Sequence, residues 1–314
     1  MNIFLKKVLA SQLIAIVLVS LAWEPVRACI NLYAQNLKGH QVHYGGNHIL
    51  ANLKAHDHDD KNQWEKKRNA LKAEVELPGA KFESRADYAS LGIYLGDVSH
   101  AIEQLEALER EKPGEGIIAS NLGTAYELNG NTAKALEWIK EGVHRNPNDH
   151  NGTEWLHVKI LEAKLELAND KGWLNSHSVL GMNFGTDAKP AIPSQGVTDF
   201  QGALKSLPEV EAALAYQLHE RIYFVKPPDP VVADLLSDMA CLIAASHSLP
   251  EAKSIMEFAL EYKPVKADLS VRRLEFFTAN SNVSGEHNFL WSLAIIVIVV
   301  IIGYWFVKRL MRAV

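Results

Sequence analysis

The chain runs to 314 residues and carries 32 Lys and Arg against 37 Asp and Glu, a formal net charge of −5. The two apolar ends hold Lys6, Lys7, Glu24, Arg27, Lys308, Arg309 and Arg312, so the stretch from Cys29 to Asn288 keeps 26 basic and 36 acidic residues, a net of −10. That balance argues against nucleic acid and against an anionic membrane face as partners, and two cysteines, Cys29 and Cys241, are too few for a disulfide framework.

In chain order, Lys6 and Lys7 precede an apolar run from Val8 to Ala22. Pro25 breaks that run, and Val26-Arg27-Ala28 has the small-x-small pattern of a cleavage point. Residues 1–28 read as a secretory signal peptide, with an uncleaved membrane helix as the alternative. Arg27 next to the cleavage point disfavours lipidation of Cys29. Residues 29–60 carry Gly39, Gly45, Gly46 and five His, and read as an irregular His-rich segment. Within it, His40, His43, His56 and His58, with Asp57, Asp59 and Asp60, offer imidazole and carboxylate donors of the kind that hold zinc or copper. No HExxH or CxxC accompanies them, so a solvated linker is the competing reading. Lys61 to Glu76 reads as a helix with Trp64 and Leu71 on its buried side.

A repeat follows. Gly96 and Gly130, Ala101 and Ala135, Glu103 and Glu137, Leu105 and Ile139, and Pro113 and Pro147 are all separated by 34 residues. The small residues Gly123 and Ala135 permit a close helix crossing, Gly130 a tight turn, and Pro147 a break between units. Leu122, Tyr126 and Ile139 recur on inward faces. In the first copy Ala89 stands in place of Gly123 and Gly92 in place of Tyr126. A third copy begins near Asp229-Pro230, with Met239, Ala240, Ile243, Ala252, Met256, Ala259 and Pro264 on the same template and Ser248 to Glu251 as a capping box.

With its Leu122-Gly123-x-x-Tyr126 core, this pattern resembles the tetratricopeptide-repeat (TPR) family from about Arg85 to Lys266. The expectation is an all-α, TPR-like solenoid of helical hairpins over residues 61–279. Glu154 to Ala168 and Val210 to Phe224 are further helices, and Leu269 to Phe277 is a cap. Residues 170–193, with three Gly and two Pro and no helical period, form an irregular insertion, expected to pack Trp173, Leu180, Met182 and Phe184 onto the helices. Cys241 falls in an apolar helical pattern as a small buried residue. Residues 280–288 are a polar linker. Residues 289–307 are an uncharged run of 19, long enough to cross a bilayer as a transmembrane helix. Lys308, Arg309 and Arg312 then place residues 308–314 in the cytoplasm and the body outside it, in a bacterium the periplasm.

The resemblance implies a groove lined by the first helices of each hairpin. By matching position it holds Ser90, Tyr94, Ser120, Thr124, Glu127, Glu154 and Glu162. Family members that clamp a carboxylate terminus use Lys or Arg there, and these positions have none, so an acidic groove for a neutral or basic protein segment is expected. The function read from this is a membrane-tethered, extracytoplasmic scaffold for protein–protein interaction, without cofactor or catalysis. The alternatives are a metal-binding protein using the His cluster and a hydrolase at the insertion. Paired acids such as Glu103 and Glu106 read as solvated helix surface, and no G-x-S-x-G, P-loop or GxGxxG sits in a setting that would make it chemical.

Overall fold

The computed structural model describes residues 32–55 and 61–285. The signal segment, Cys29, His56, His58, the apolar run 289–307 and the tail 308–314 lie outside the described residues. Among the described residues no helix is long and apolar enough to cross a membrane. The chain divides into two compact units, Met1–Tyr33 with Ser284–Val314, and Ala34–Val283.

The described residues begin with two short strands, β1 (Leu32–Gln35) and β2 (Gln41–His43), joined through Gly39 at φ +80°. The helix α1 (His48–Lys54) follows. The helix departs from the expectation for 29–60, an extended or irregular segment, whereas the two strands do not. Ile49, Leu50 and Leu53 recur at helical spacing, and α1 packs that stripe on α8 and α10, described below. The next helix, α2 (Lys61–Val75), forms as expected but buries no residue, and Trp64 and Leu71 are only half covered. It packs on one neighbouring helix, which leaves its outer side open.

Four helices then build the two tandem hairpins: α3 (Phe82–Tyr94), α4 (Val98–Glu111), α5 (Gly116–Leu128) and α6 (Thr132–Arg145). The starts of α3 and α5 are 34 residues apart, as are those of α4 and α6. Each hairpin turns through a glycine with positive φ, Gly96 at +81° and Gly130 at +82°. The crossing within the second hairpin is as close as the small residues require. A Cβ on Gly123 would collide with the side chain of Ile139 and stand 3.1 Å from its backbone nitrogen. One on Gly142 would stand 2.7 Å from Ser120 Oγ. Gly92 has its own reason, since a Cβ there would meet the guanidinium of Arg68 at 3.2 Å, and Arg68 in turn pairs with Asp97 at 2.6 Å.

The period then breaks. Helix α7 (Glu154–Asn169) starts 38 residues after α5. The longer connection passes through His150 and Asn151, both at positive φ (47° and 58°). From Asp170 the chain has only a short 3-10 turn, Trp173–Asn175, and the two-residue strands β3 (Val197–Thr198) and β4 (Leu204–Lys205). The irregular stretch is therefore longer than the expected 170–193 and reaches Ser206, because β3 and β4 form a hairpin in which Gly196 abuts the Lys205 carbonyl too closely for any side chain.

Four more helices complete the unit: α8 (Leu207–Phe224), α9 (Pro230–Ser246), α10 (Leu249–Glu261) and α11 (Ala267–Asn280). Ser206 and Glu209 cap α8 with a full capping box, and Asp229 caps α9 by accepting from Val232 N at 2.8 Å ahead of Pro230. Two hydrophobic cores result. One lies among α3 to α7, and the other among α1, α7 to α11 and the irregular stretch. Helix α7 serves both, giving Val158 and Leu161 to the first and Trp155, Leu156, Ile160 and Ala163 to the second. Cys241 is fully buried in the second, and burial pushes its thiol up to about 12. In the smaller unit, described residues are Leu32, Tyr33 and the strand β5 (Ser284–Gly285), with Leu32 opposite Gly285 and Tyr33 opposite Ser284.

Gly123→Ala is expected to lower stability by about 1–3 kcal/mol through overpacking, and Ile139→Val, which removes the Cδ1 that the new methyl strikes, to restore part of it. Urea unfolding followed by circular dichroism measures both. A neutral Gly123→Ala would mean that the hairpin crossing is looser than described.

Candidate functional site

Five of the seven residues expected in the first-helix groove converge on one cavity of about 100 Å³: Ser90 and Tyr94 from α3, Thr124 and Glu127 from α5, and Glu154 from α7. The groove is not open. The C-terminal half of α8 lies in it, placing Gln217, Arg221 and Phe224 against these residues. Tyr94 is enclosed by aromatic rings, with centroids 4.6 Å from Trp64, 5.7 Å from Tyr223 and 5.3 Å from Phe224. Burial pushes its hydroxyl up to about 12.

The acids that the sequence places here are answered by bases from elsewhere in the chain. Glu127 accepts from Arg221 Nη1 at 2.6 Å and Nη2 at 3.2 Å, from Lys164 Nζ at 2.8 Å, and from His157 Nε2 at 2.7 Å. Glu154 accepts from His150 Nδ1 at 2.6 Å, His157 Nδ1 at 3.2 Å and Gln217 Nε2 at 3.2 Å. Both ring nitrogens of His157 face carboxylates, and both bonds form only when both nitrogens carry hydrogen, so the ring is an imidazolium. Burial works against every charge in this network. The attraction of Arg221, His157 and Lys164 nevertheless holds Glu127 well below the usual carboxylate range, and His157 and His150 do the same for Glu154. The two carboxylates correspondingly raise His157 despite its burial. His150 is raised by its bond to Glu154 first, against burial.

Ser120 and Glu162 stand apart from this cavity. Ser120 is buried under Gly142 and donates to Asp149 Oδ2 at 2.8 Å. Glu162 accepts from Lys140 Nζ at 2.8 Å and lines a second, larger opening of about 1170 Å³. That opening runs between α7, the irregular segment and the start of α11. Lys159, Glu162 and Glu166 form one wall, Trp173 to Thr186 another, and Val265 to Arg272 the third. The irregular segment is held there by packing and by its backbone. Leu174, Val179, Leu180 and Phe184 are buried, with Trp173 and Met182 half covered. Val179 N donates to Asp234 Oδ2 at 2.8 Å, Lys266 Nζ to the His177 carbonyl at 2.8 Å, and Arg273 Nη2 to the carbonyls of Phe184 and Gly185 at 3.1 and 2.7 Å.

This opening is where a hydrolase would need its nucleophile, and Ser176 Oγ does lie 3.0 Å from His177 Nδ1. The same nitrogen also lies 3.0 Å from the Trp173 carbonyl. A carbonyl only accepts, so Nδ1 carries the hydrogen and cannot take one from Ser176. His177 lies flat on Trp173, with rings 4.7 Å apart and 4° from parallel, so its position is explained by stacking. Among the described residues no group of three or more His, Cys, Asp and Glu is arranged to hold a metal. His40 precedes β2 and His43 ends it, while His56 and His58 lie outside the described residues.

Sequence reasoning did not single out Arg221, His157, Asp234 or Asp238. The last two carried a usable signal, being carboxylates four residues apart in the run Val231 to Ala245, which is otherwise apolar apart from Ser237. Burial pushes Asp234 up to about 6, and burial together with the charge of Asp234 pushes Asp238 well above its ordinary range.

No family model matches the chain, and no curated protein matches it. Among solved structures it is similar to a thermophilic TPR protein from Thermus thermophilus. That likeness has 20% identity and a TM-score of 0.31, and covers 68% of this chain and 87% of that one. The helical-hairpin architecture therefore rests on the chain's own spacing, turns and crossings.

Arg221→Met leaves Glu127 buried without its bidentate partner and is expected to cost about 3–5 kcal/mol. Adding Glu127→Gln should recover part of that loss, and a double-mutant cycle by chemical denaturation measures the coupling. The pH response follows from the shifts. The lowered carboxylates Glu127 and Glu154 contribute stability above about pH 4.3 that is lost as pH falls. The raised His150 and His157 contribute fully below about pH 6.5 and lose that contribution as pH rises. Asp234 and Asp238, raised by burial, cost stability increasingly as pH rises from about 3.9, where the unfolded carboxyls ionise, to their folded values. The melting midpoint should therefore be higher at pH 5 than at pH 8, and Asp238→Asn should raise it more at pH 8 than at pH 5. Equal wild-type midpoints at the two values would refute this account.

Proposed function

We propose that the chain is an exported scaffold, tethered to a membrane through residues 289–307, that takes a segment of another protein into the groove between α7, the irregular segment and α11. The observation that carries this reading is the contrast between the two openings. The first-helix groove is filled by α8 and its charges are satisfied within the chain. The second is open, and its volume of about 1170 Å³ exceeds the ~300–1,000 Å³ of ordinary small-molecule sites. Its walls mix apolar surface from Trp173, Met182 and Val265 with charged side chains, and its irregular wall is fixed in place before any partner arrives. A fixed wall lowers the ordering cost of binding. The net charge of −10 between Cys29 and Asn288 suits a neutral or basic segment. The basic residues after the apolar run favour a body outside the cytoplasm.

A photo-crosslinking amino acid at Ser176, with Thr124 in the filled groove as the control position, tests the scaffold in native membranes. A discrete adduct at Ser176 and none at Thr124 is expected, whereas no adduct at Ser176, or equal adducts at both, would overturn the assignment. Topology is tested separately by a cysteine at Asn282 in a Cys29→Ser chain. It should react with a membrane-impermeant maleimide applied to spheroplasts, and protection from the reagent would sink the exported orientation.

A further inference from the structure

A small side cavity of about 90 Å³ opens beneath the groove, sharing Ser178, Met182, Asn183 and Lys266 with it. Asp234, Ser237 and Asp238, on one face of α9, line its inner side, and Ser270 and Arg273 of α11 stand across from them. Asp238 is 6% exposed, and no hydrogen bond reaches its Oδ2. The neighbouring cations make their hydrogen bonds elsewhere, and Arg273 Nε, also buried, has no partner. Arg273 donates to the Phe184 and Gly185 carbonyls and, at 3.3 Å, to Cys241 Sγ, while Lys266 donates to the His177 carbonyl. Among the described residues neither forms an ion pair with Asp234 or Asp238. A buried carboxylate without a partner is unfavourable, and it is stabilised by a cation that brings its own hydrogen-bond donors.

We infer that this pocket receives a lysine side chain from the partner segment, with Asp238 as its counter-ion, Asp234 beside it, and the lysine stem lying in the groove above. This rests on the scaffold reading and adds what the groove selects. The size fits. About 90 Å³ is roughly three times a water molecule's share of the liquid, which suits a compact ammonium on a narrow stem better than a broad, planar guanidinium. The two hydroxyls, Ser237 and Ser270, offer further acceptors for the three ammonium hydrogens. Where the carboxyl pair holds a proton, entry of the ammonium expels it into solvent, and charge balances in both states.

The test uses the tripeptides acetyl-Ala-Lys-Ala-amide, acetyl-Ala-norleucine-Ala-amide and acetyl-Ala-Arg-Ala-amide, titrated into the isotopically labelled full chain in detergent. The amide of Val179 reports directly, because it donates to Asp234. The lysine tripeptide is expected to shift it saturably at pH 8, and the norleucine tripeptide, of similar shape and no charge, to leave it in place. Asp238→Asn should weaken lysine binding at least tenfold, with a helical content matching the wild type. Equal effects of lysine and norleucine, absence of binding by both, or unchanged affinity in a folded Asp238→Asn chain would overturn the inference. Arginine binding as tightly as lysine would overturn the choice of ammonium. If Asp238→Asn did not fold, the lysine and norleucine comparison on the wild type would decide. A crosslinked partner at Ser176 without tripeptide binding removes the lysine pocket alone, and tripeptide binding without a crosslinked partner removes the scaffold alone.

Discussion

Glu127 is 8% exposed and lies 94 residues from the arginine that neutralises it. A carboxylate withdrawn from water must be matched donor for donor, or it gives up its charge. Here Arg221, His157 and Lys164 supply four donor atoms, and the fold is arranged around that requirement. To deliver Arg221, α8 must lie across the first helices of the hairpins. To bring α8 there, the chain must travel from the end of α7 without adding another regular hairpin. The irregular stretch from Asp170 to Ser206 is that path, and its outer side becomes a wall of the open groove. The ion pair that fills one groove thus dictates where the other is built.

The hairpins were legible because their constraints are local. A 34-residue step, a glycine at each turn and small residues at the crossing follow from packing two adjacent helices, and each reappears in the positions of α3 to α6. The departures from the period were less so. The connection before α7 is lengthened by residues at positive φ, two of them the non-glycines His150 and Asn151, and His150 is held by its bond to Glu154 and by stacking on Tyr216. A contact of that kind has no counterpart in sequence spacing. The short helix α1 was hidden because its apolar stripe, Ile49, Leu50 and Leu53, is only one turn long. The expected groove residues were well placed as a set, since Ser90, Tyr94, Thr124, Glu127 and Glu154 meet. That α8 would occupy their common space depends on a partner far along the chain, which no local pattern announces.

Two buried pairs of acids in this unit are governed by the same electrostatics with opposite outcomes. Around Glu127 and Glu154, donors outnumber what burial takes away, and both carboxylates remain charged. Around Asp234 and Asp238, the nearest cations are turned toward backbone carbonyls and a thiol, and burial prevails. In the first arrangement both carboxylates are paired within the chain, and they hold its parts together. The second is incomplete within the chain, and an incomplete buried polar group is where a ligand makes its largest difference. The difference lies in orientation more than in composition, since Arg273 is as basic as Arg221 but points at Phe184 and Gly185.

Helix α7 presents one face to each of the two hydrophobic cores. In an ordinary array of repeats, each unit touches only its neighbours, so stability accumulates piece by piece and the ends can fray independently. A helix common to both cores removes that freedom. Neither core can melt without stripping a side of α7, and the remaining core then loses Trp155 and Ile160 or Val158 and Leu161. The array consequently gives up the modularity of independent repeats, and the shape of the groove, one wall of which is α7, is tied to the stability of both cores.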